Sequence, residues 1–302
     1  MKRTEPFEFY QPATLAEASR LLRENGPGGR FLAGGTDLVI AMKEKGLLPK
    51  YIVDLKRVPG LSGIREDNDG TITIGALTTM YAVETSPVIT KKYPFLAQSA
   101  AEVGSIQIRN RATIGGNMAN ATPSADVAPS LIALNATAKI VSTSGERTVP
   151  MEEFFRGPGQ NAMNADEILA EITIPKTGPQ LVGEYIKFSP RDMMDLAYIG
   201  VAVAYNLAND KKCGQVRIVL GAVAPTPIRA KNSEALLDGK VLTEELATQV
   251  GDEAARESKP ISDVRSSADY RRAMVAVMTK RAILNAAVGP AKSWVDRRDR
   301  RY

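Results

Sequence analysis

No histidine occurs anywhere in the sequence. That removes the commonest general base and metal ligand, and with them the Ser-His-Asp and Cys-His nucleophile pairs. Hydrolytic and zinc chemistry are therefore not expected. The single cysteine, Cys213, excludes an internal disulfide and any cysteine-held cluster within this chain. No apolar run approaches the ~18 residues that span a bilayer. The opening stretch "MKRTEPFEFYQPATL" lacks the apolar segment of a secretory signal. A cytoplasmic location without a membrane span is the expectation. The net charge of +5 is mild, and part of it sits in "VDRRDRRY", residues 295 to 302, which reads as a solvated basic tail. No basic face interleaved with aromatics is visible, so nucleic acid is not an expected partner. Chemistry is left to carboxylates, lysines or a borrowed cofactor. A chain with no side chain that titrates near neutral pH has the profile of a cofactor carrier.

What is present is 302 residues at 44% hydrophobic, enough for one large domain or two to three small ones. "TLAEASRLLRENG" predicts a helix: Thr14 and Glu17 form a capping box, Leu15, Ala18, Leu21 and Leu22 share a face, and Gly26 stops it. "RFLAGG" predicts a short buried strand, "TDLVIAMKEKG" a helix ending at Gly46, and "YIVDL" a strand, so residues 1–57 read as a small α/β unit. "TITIGA" alternates as a strand does. "LTTMYAVETS", "PFLAQSAAEVG" and "ADVAPSLIALNA" predict helices, the last interrupted early by Pro129. "TAKIVS" and "EILAEITIP" predict strands, and a boundary is expected within residues 175–183. Beyond it, three strands ("EYIKFS", "AYIGVAVAYNLAND", "GQVRIVLGAVAPTPIRA") precede three helices, the pattern of an α+β domain with helices on one face of an antiparallel sheet.

Two glycine pairs stand out: "RFLAGGTDL" at residues 30–38 and "RNRATIGGNMANATPSADVAP" at residues 109–129. Each places Gly-Gly between a β-like run and a polar residue able to cap a helix. Glycine pairs permit positive φ and close approach of another molecule to the backbone. Successive N–H groups in such turns form nests for anions. Two nests suit a diphosphate, with Thr36, Thr113 and Asn117 as added donors. Asp126 would repel a phosphate but can accept from ribose hydroxyls. No G-x-G-x-x-G follows a strand and no G-x-x-x-x-G-K-[ST] occurs, so neither a Rossmann nor a P-loop reading is supported.

These residues resemble a known family. "FLAGGTDL" and "ATIGGNMANATPSADVAP" are similar to the two flavin-binding segments of the FAD (medium) subunit of the molybdenum hydroxylases, a group that includes carbon monoxide, nicotinate and xanthine dehydrogenases. The likeness spans roughly residues 5–288, and the T-x-G-G-N run with an aspartate nine residues later is its most specific part. It implies an α+β, vanillyl-alcohol-oxidase-like (PCMH-type) FAD-binding fold: subdomains at 1–57 and 58–176, a C-terminal α+β domain at 177–288, and the basic tail at 289–302. It also implies FAD in this chain, with molybdopterin in a large partner subunit and two [2Fe-2S] clusters in a small one. The assembly implied is a doubled heterotrimer in which FAD passes electrons to an external acceptor, NAD or another.

By position, Phe31, Leu32, Ala33, Gly34, Gly35 and Thr36 correspond to the first pyrophosphate-binding run, and Thr113, Gly115, Gly116 and Asn117 to the second. Asn120 matches a polar cofactor contact and Asp126 the adenosine-ribose carboxylate. Leu169 matches an aliphatic residue near the isoalloxazine and Lys187 a lysine near the flavin. An ammonium there favours reduction, because reduced flavin carries negative charge around N1 and C2=O. Arg191 and Asp195 fit an ion pair holding a loop. Where some relatives carry a basic residue, this chain has Gly159 or Gln160, which counts against NAD as acceptor. The lone cysteine excludes the extra [4Fe-4S] cluster of the 4-hydroxybenzoyl-CoA reductase branch. A stand-alone flavin oxidoreductase of the same fold is the alternative reading, and a non-enzymatic nucleotide-binding scaffold the third.

Overall fold

A computed structural model describes residues 5–191 and 193–289. The basic tail expected at 289–302 lies, from residue 290 on, outside the described residues. Three sheets of three or more strands follow one another along the described residues, beside a two-stranded one. The first is built from β1 (Glu8–Tyr10), α1 (Leu15–Asn25), β2 (Gly29–Leu32), α2 (Leu38–Glu44) and β3 (Tyr51–Asp54), with parallel strand order β1-β3-β2. Thr14 caps α1 by accepting from the Glu17 N–H at 3.1 Å. The Glu17 carboxylate bonds the N–H of Ala13, one residue earlier than a capping box requires. Gly26 ends the helix at φ 72°, in the left-handed region that glycine reaches without strain. β3 stops at Asp54 rather than Leu55, because the Asp54 carboxylate accepts from the Lys56 N–H and opens a 3-10 turn over Leu55–Arg57. β2 is only half-buried, where the sequence predicts a buried strand.

The second sheet is antiparallel throughout, in the order β4-β5-β10-β6-β7. Its strands are β4 (Ile64–Glu66), β5 (Ile72–Gly75), β6 (Thr137–Ser142), β7 (Gly145–Pro150) and β10 (Ile168–Ile174). Between β5 and β6 lie α3 (Met80–Thr85), α4 (Pro87–Lys92), α5 (Pro94–Ala101), α6 (Ile106–Arg109), α7 (Ile114–Asn120) and α8 (Val127–Ala133). After β7 come α9 (Met151–Phe154) and a hairpin of β8 (Phe155–Gly157) and β9 (Gln160–Asn161). Pro129 does not interrupt α8. The helix begins at Val127, so Pro129 lies in the first turn, where its missing N–H has no intrahelical acceptor to lose.

The third sheet, β11 (Leu181–Phe188), β12 (Ile199–Leu207), β13 (Cys213–Gly221) and β14 (Ile228–Arg229), has one strand more than the sequence predicts. α10 (Lys231–Leu237), α11 (Glu244–Glu257) and α12 (Ala268–Val288) follow it, and α12 packs on α11, β11 and β12. β12 explains the unbroken apolar run "AYIGVAVAY". Successive side chains of a strand point to opposite faces. Ile199, Val201, Val203 and Tyr205 enter the core shared with α11 and α12. Ala202 and Ala204 enter the core of the second sheet and its helices, together with Leu96 and Leu131. Both faces are buried, so alternation of polarity disappears.

Candidate functional site

The first glycine pair connects β2 to α2. Gly35 has φ 79° and needs glycine for its torsion. Gly34 needs it for space: a Cβ there would lie 1.9 Å from the carbonyl oxygen of Arg111. The first turn thus presses directly on the chain that leads to the second pair.

That second pair is not a turn, contrary to the sequence-based expectation. Gly115 and Gly116 form the first turn of α7, and the cap, Thr113, precedes them, its hydroxyl accepting from the Gly116 N–H at 3.1 Å. Neither glycine has positive φ. The preceding run is not a strand either. It is α6, capped by Ser105 and anchored by Arg109, whose guanidinium meets the Glu84 carboxylate at 2.7 Å with both side chains buried. From Ala112 on, the chain is laid along the end of β5 and the approach to α3. Ala112 O accepts from Met80 N, while Ile114 N donates to Thr78 O and Gly115 N to Ala76 O. A Cβ on Gly115 would lie 2.5 Å from the Cβ of Ala76, so this glycine serves close packing.

The fold brings the two pairs together. A Cβ on Gly116 would touch Ala33 at 3.7 Å, and Asn120 donates to the Asp37 carboxylate at 3.0 Å across the gap. A cavity of about 180 Å³ opens between them, bordered by Ala33, Gly34, Lys56, Thr79, Arg111 and Thr113. The donors are divided unequally. The N–H groups of Ile114, Gly115 and Gly116 are already spent within the protein. Among the described residues, none of the N–H groups from Gly34 to Leu38 donates to a protein acceptor. Anion-binding capacity therefore resides in the first turn. The second segment adds an acceptor and not an anion donor: the Asn117 side-chain oxygen is buried without a hydrogen-bond partner among the described residues, and suits a ligand hydroxyl or N–H. An unsatisfied buried acceptor costs about 1–3 kcal/mol, which a ligand donor would recover. Of the remaining members of the first run, Phe31 packs into the core of the first sheet, Leu32 folds under Gly35, and Thr36 reaches only Asp37, at 3.5 Å.

Asp126 and Lys187 form a separate cluster. Lys187 donates to the Asp126 carboxylate and to the Glu102 carbonyl, each at 3.0 Å. The Tyr185 hydroxyl donates to the other Asp126 oxygen at 3.0 Å. Tyr185 and Lys187 are two residues apart on β11 and share a face. Tyr185 is not among the residues singled out in the sequence; its spacing of two from Lys187 is the one signal that points to it. The resemblance assigned Asp126 and Lys187 to different parts of a cofactor, whereas the structure makes them one buried ion pair. Leu169 lies on β10 in the second sheet's core. Arg191 and Asp195 do form an ion pair, at 3.3 Å on an exposed loop. Gly159, at φ 70°, ties the β8–β9 hairpin to the end of α7 by donating to Ala121 O.

Burial is the largest influence on Asp126 and pushes its carboxyl up to about 6, against the opposing pull of Lys187 and Tyr185. The folded value lies above the ~3.9 of an unfolded aspartate. This group's contribution to stability is thus fully present below pH ~4 and is lost as pH rises through about 6. Wild type should lose stability relative to Asp126→Asn as pH rises from 4 to 6.5, measured as the difference in denaturation midpoint at each pH. Parallel curves would show that Asp126 ionises at its ordinary pH.

The family model described as the FAD binding domain in molybdopterin dehydrogenase matches residues 5–177, and that of the CO dehydrogenase flavoprotein C-terminal domain matches residues 184–286. The carbon monoxide dehydrogenase medium chain of Hydrogenophaga pseudoflava is 36% identical over 93% of this chain and 96% of its own length. The putative xanthine dehydrogenase FAD-binding subunit of Escherichia coli K12 is 33% identical over 92% of this chain and 95% of its own. Among solved structures, carbon monoxide dehydrogenase from Hydrogenophaga pseudoflava superposes with a TM-score of 0.91 at 34% identity, covering 95% of this chain and 99% of that one. Quinoline 2-oxidoreductase from Pseudomonas putida 86 superposes with a TM-score of 0.89 at 30% identity, covering 96% and 99%. The three-sheet arrangement is thus the α+β FAD-binding fold expected from the sequence. No helix among the described residues is long and apolar enough to cross a membrane, and no group of potential metal ligands occurs among them.

Proposed function

This chain belongs to the family of FAD-binding subunits of the molybdenum hydroxylases, and on that premise we propose that it is the electron-transfer member of a multi-subunit dehydrogenase. Electrons enter from [2Fe-2S] clusters of a small partner subunit, fed by molybdopterin in a large one, and leave to an external acceptor. FAD, when bound, would supply the redox chemistry of a one- and two-electron carrier. The observation that carries this reading is the meeting of the two glycine pairs, with idle backbone donors on one side and the orphaned Asn117 oxygen on the other.

The chain's own residues bind, orient and set potential. Gly34 to Thr36 offer N–H groups to the diphosphate, and Thr113, Gly115 and Gly116 shape the opposing wall. Asn117 and Asn120 supply polar contacts. Leu169 gives an apolar backing to the ring system, and Lys187 places a positive charge beside it, held by Asp126 and Tyr185. We assign residues 1–57 and 58–176 as the two cofactor-clasping subdomains and 177–288 as the domain closing over them. The substrate is chosen by the large subunit.

Lys187→Met tests the electrostatic part. The flavin midpoint potential, followed by spectroelectrochemical titration, should fall by ~30 mV or more, the two-electron equivalent of about 1.4 kcal/mol. An unchanged potential removes Lys187 from the flavin's surroundings. Isolation of the chain from its native host tests the rest. A flavin spectrum with iron and molybdenum in co-purifying subunits supports the electron-transfer role, and a yellow, metal-free lone chain would replace it with the stand-alone flavoenzyme.

A further inference from the structure

Far along the chain from the glycine pairs, a cleft of about 580 Å³ separates the end of α8 and the segment Pro175–Gly178 from β12, β13 and α10. That volume lies in the range of small-molecule sites. Four cations line it, Lys176, Arg217, Arg229 and Lys231, against two carboxylates, Glu234 and Asp238. The carboxylates are occupied. Glu234 accepts from the Arg229 guanidinium and from Ile218 N, and Asp238 accepts from Val216 N. Arg229 also reaches Glu152, which takes Lys231 at 2.8 Å.

Arg217 stands apart. Among the described residues its side chain makes no hydrogen bond and no ion pair, although it projects from β13, an inner strand of its sheet. Burial, and then the like charge of Arg229, disfavour its positive form, against the smaller opposing pull of Glu234 and Glu152, neither of which it touches. A planar five-donor fork held half-buried without an acceptor is matched by an oxyanion, which it binds through two parallel hydrogen bonds. The neighbouring side chains are amides able to donate or to accept: Asn135, whose side chain has no partner among the described residues, and Asn206, which donates to Gln215 at 2.9 Å. The stem of Lys176 runs along Gly70, and its charge acts on Asp69 without closing an ion pair.

We propose that this cleft is a second ligand site, distinct from the glycine-pair cavity, and that it holds a small-molecule oxyanion, carboxylate or phosphate, on Arg217 with support from Lys176. Its walls come from both sides of the connection between β10 and β11. A bound anion would therefore join the second sheet's helices to the third sheet.

Calorimetric titration of the full chain with its FAD, at low chloride, tests this with two probes, inorganic pyrophosphate and citrate. Saturable binding of either supports the site, and the tighter of the two identifies the anion class. Arg217→Gln should weaken binding at least tenfold, and Lys176→Gln less, with FAD content and melting temperature held as controls. If Arg217→Gln fails to fold, Lys176→Gln carries the test. Lys231→Gln removes the same charge from a cation already paired with Glu152. An equal loss in that variant would reduce the effect to general electrostatics and overturn the proposal, as would the absence of saturable binding by both probes. FAD retention is scored separately, so its loss would count against the proposed function and not against this cleft.

Discussion

Gly34→Ala should yield a protein largely stripped of FAD. The added Cβ would sit 1.9 Å from Arg111 O, a backbone atom fixed by the helix anchor of Arg109 and by the pairing of Ala112 with Met80. Overpacking of this kind typically costs 1–3 kcal/mol, and here the relief runs in one direction, with the first turn retreating from the second. The idle donors from Gly34 to Leu38 would leave Asn117, and the bond from Asn120 to Asp37 would stretch. The Kd for FAD should rise at least about tenfold, the equivalent of 1.4 kcal/mol, read as a loss of flavin absorbance per chain on dilution and desalting, with a modest loss in melting temperature. Gly46→Ala is the matching control. It faces open space at φ 74° and strains its own backbone by roughly 1–2 kcal/mol without touching the cradle. Full flavin content in Gly34→Ala would remove the contact between the two pairs from the account of binding.

Arg109→Leu should be the most destabilising single change near the site. It strands the Glu84 carboxylate, whose one charged partner among the described residues is Arg109. Breaking a buried ion pair from one side costs about 3–5 kcal/mol, because an uncompensated charge remains. For a chain of this size that corresponds to roughly 5–8 °C in melting temperature. The double variant Glu84→Leu/Arg109→Leu should recover part of the loss, because an apolar pair often replaces a buried ion pair at little cost, while the Val103 carbonyl still loses its bond from Arg109. Thermal melts of the wild type, both single variants and the double variant close the cycle. Strict additivity would mean that the two groups do not interact.

Sequence reasoning reached furthest where the signal was local. α1 was legible from Thr14, from the spacing of Leu15, Ala18, Leu21 and Leu22, and from Gly26, all within one helix. The first glycine turn was legible for the same reason. β7 was not: "GERTVP" is exposed along most of its length and carries two adjacent charges, and only its pairing with β6 makes it a strand. The second pair was misread as a turn, because what fixes it is a set of distant carbonyls, Ala76 and Thr78, which claim the N–H groups of Gly115 and Ile114. The cluster of Asp126 and Lys187 joins residues 61 apart, and nothing in either segment announces the other.

β12 is an interior wall with apolar cores on both sides, and Tyr185 and Lys187 on the neighbouring strand hold Asp126 from across the linker. The border between the two matched sequence families, between residues 177 and 184, thus falls inside one cooperative unit. Cutting there would expose Ala202, Ala204 and Val219 on one fragment and leave Asp126 unpaired on the other. Amides at the centre of β12 can exchange their hydrogens only through the global opening of the chain. Residues 5–177 and 184–286 should therefore melt together, in one calorimetric transition.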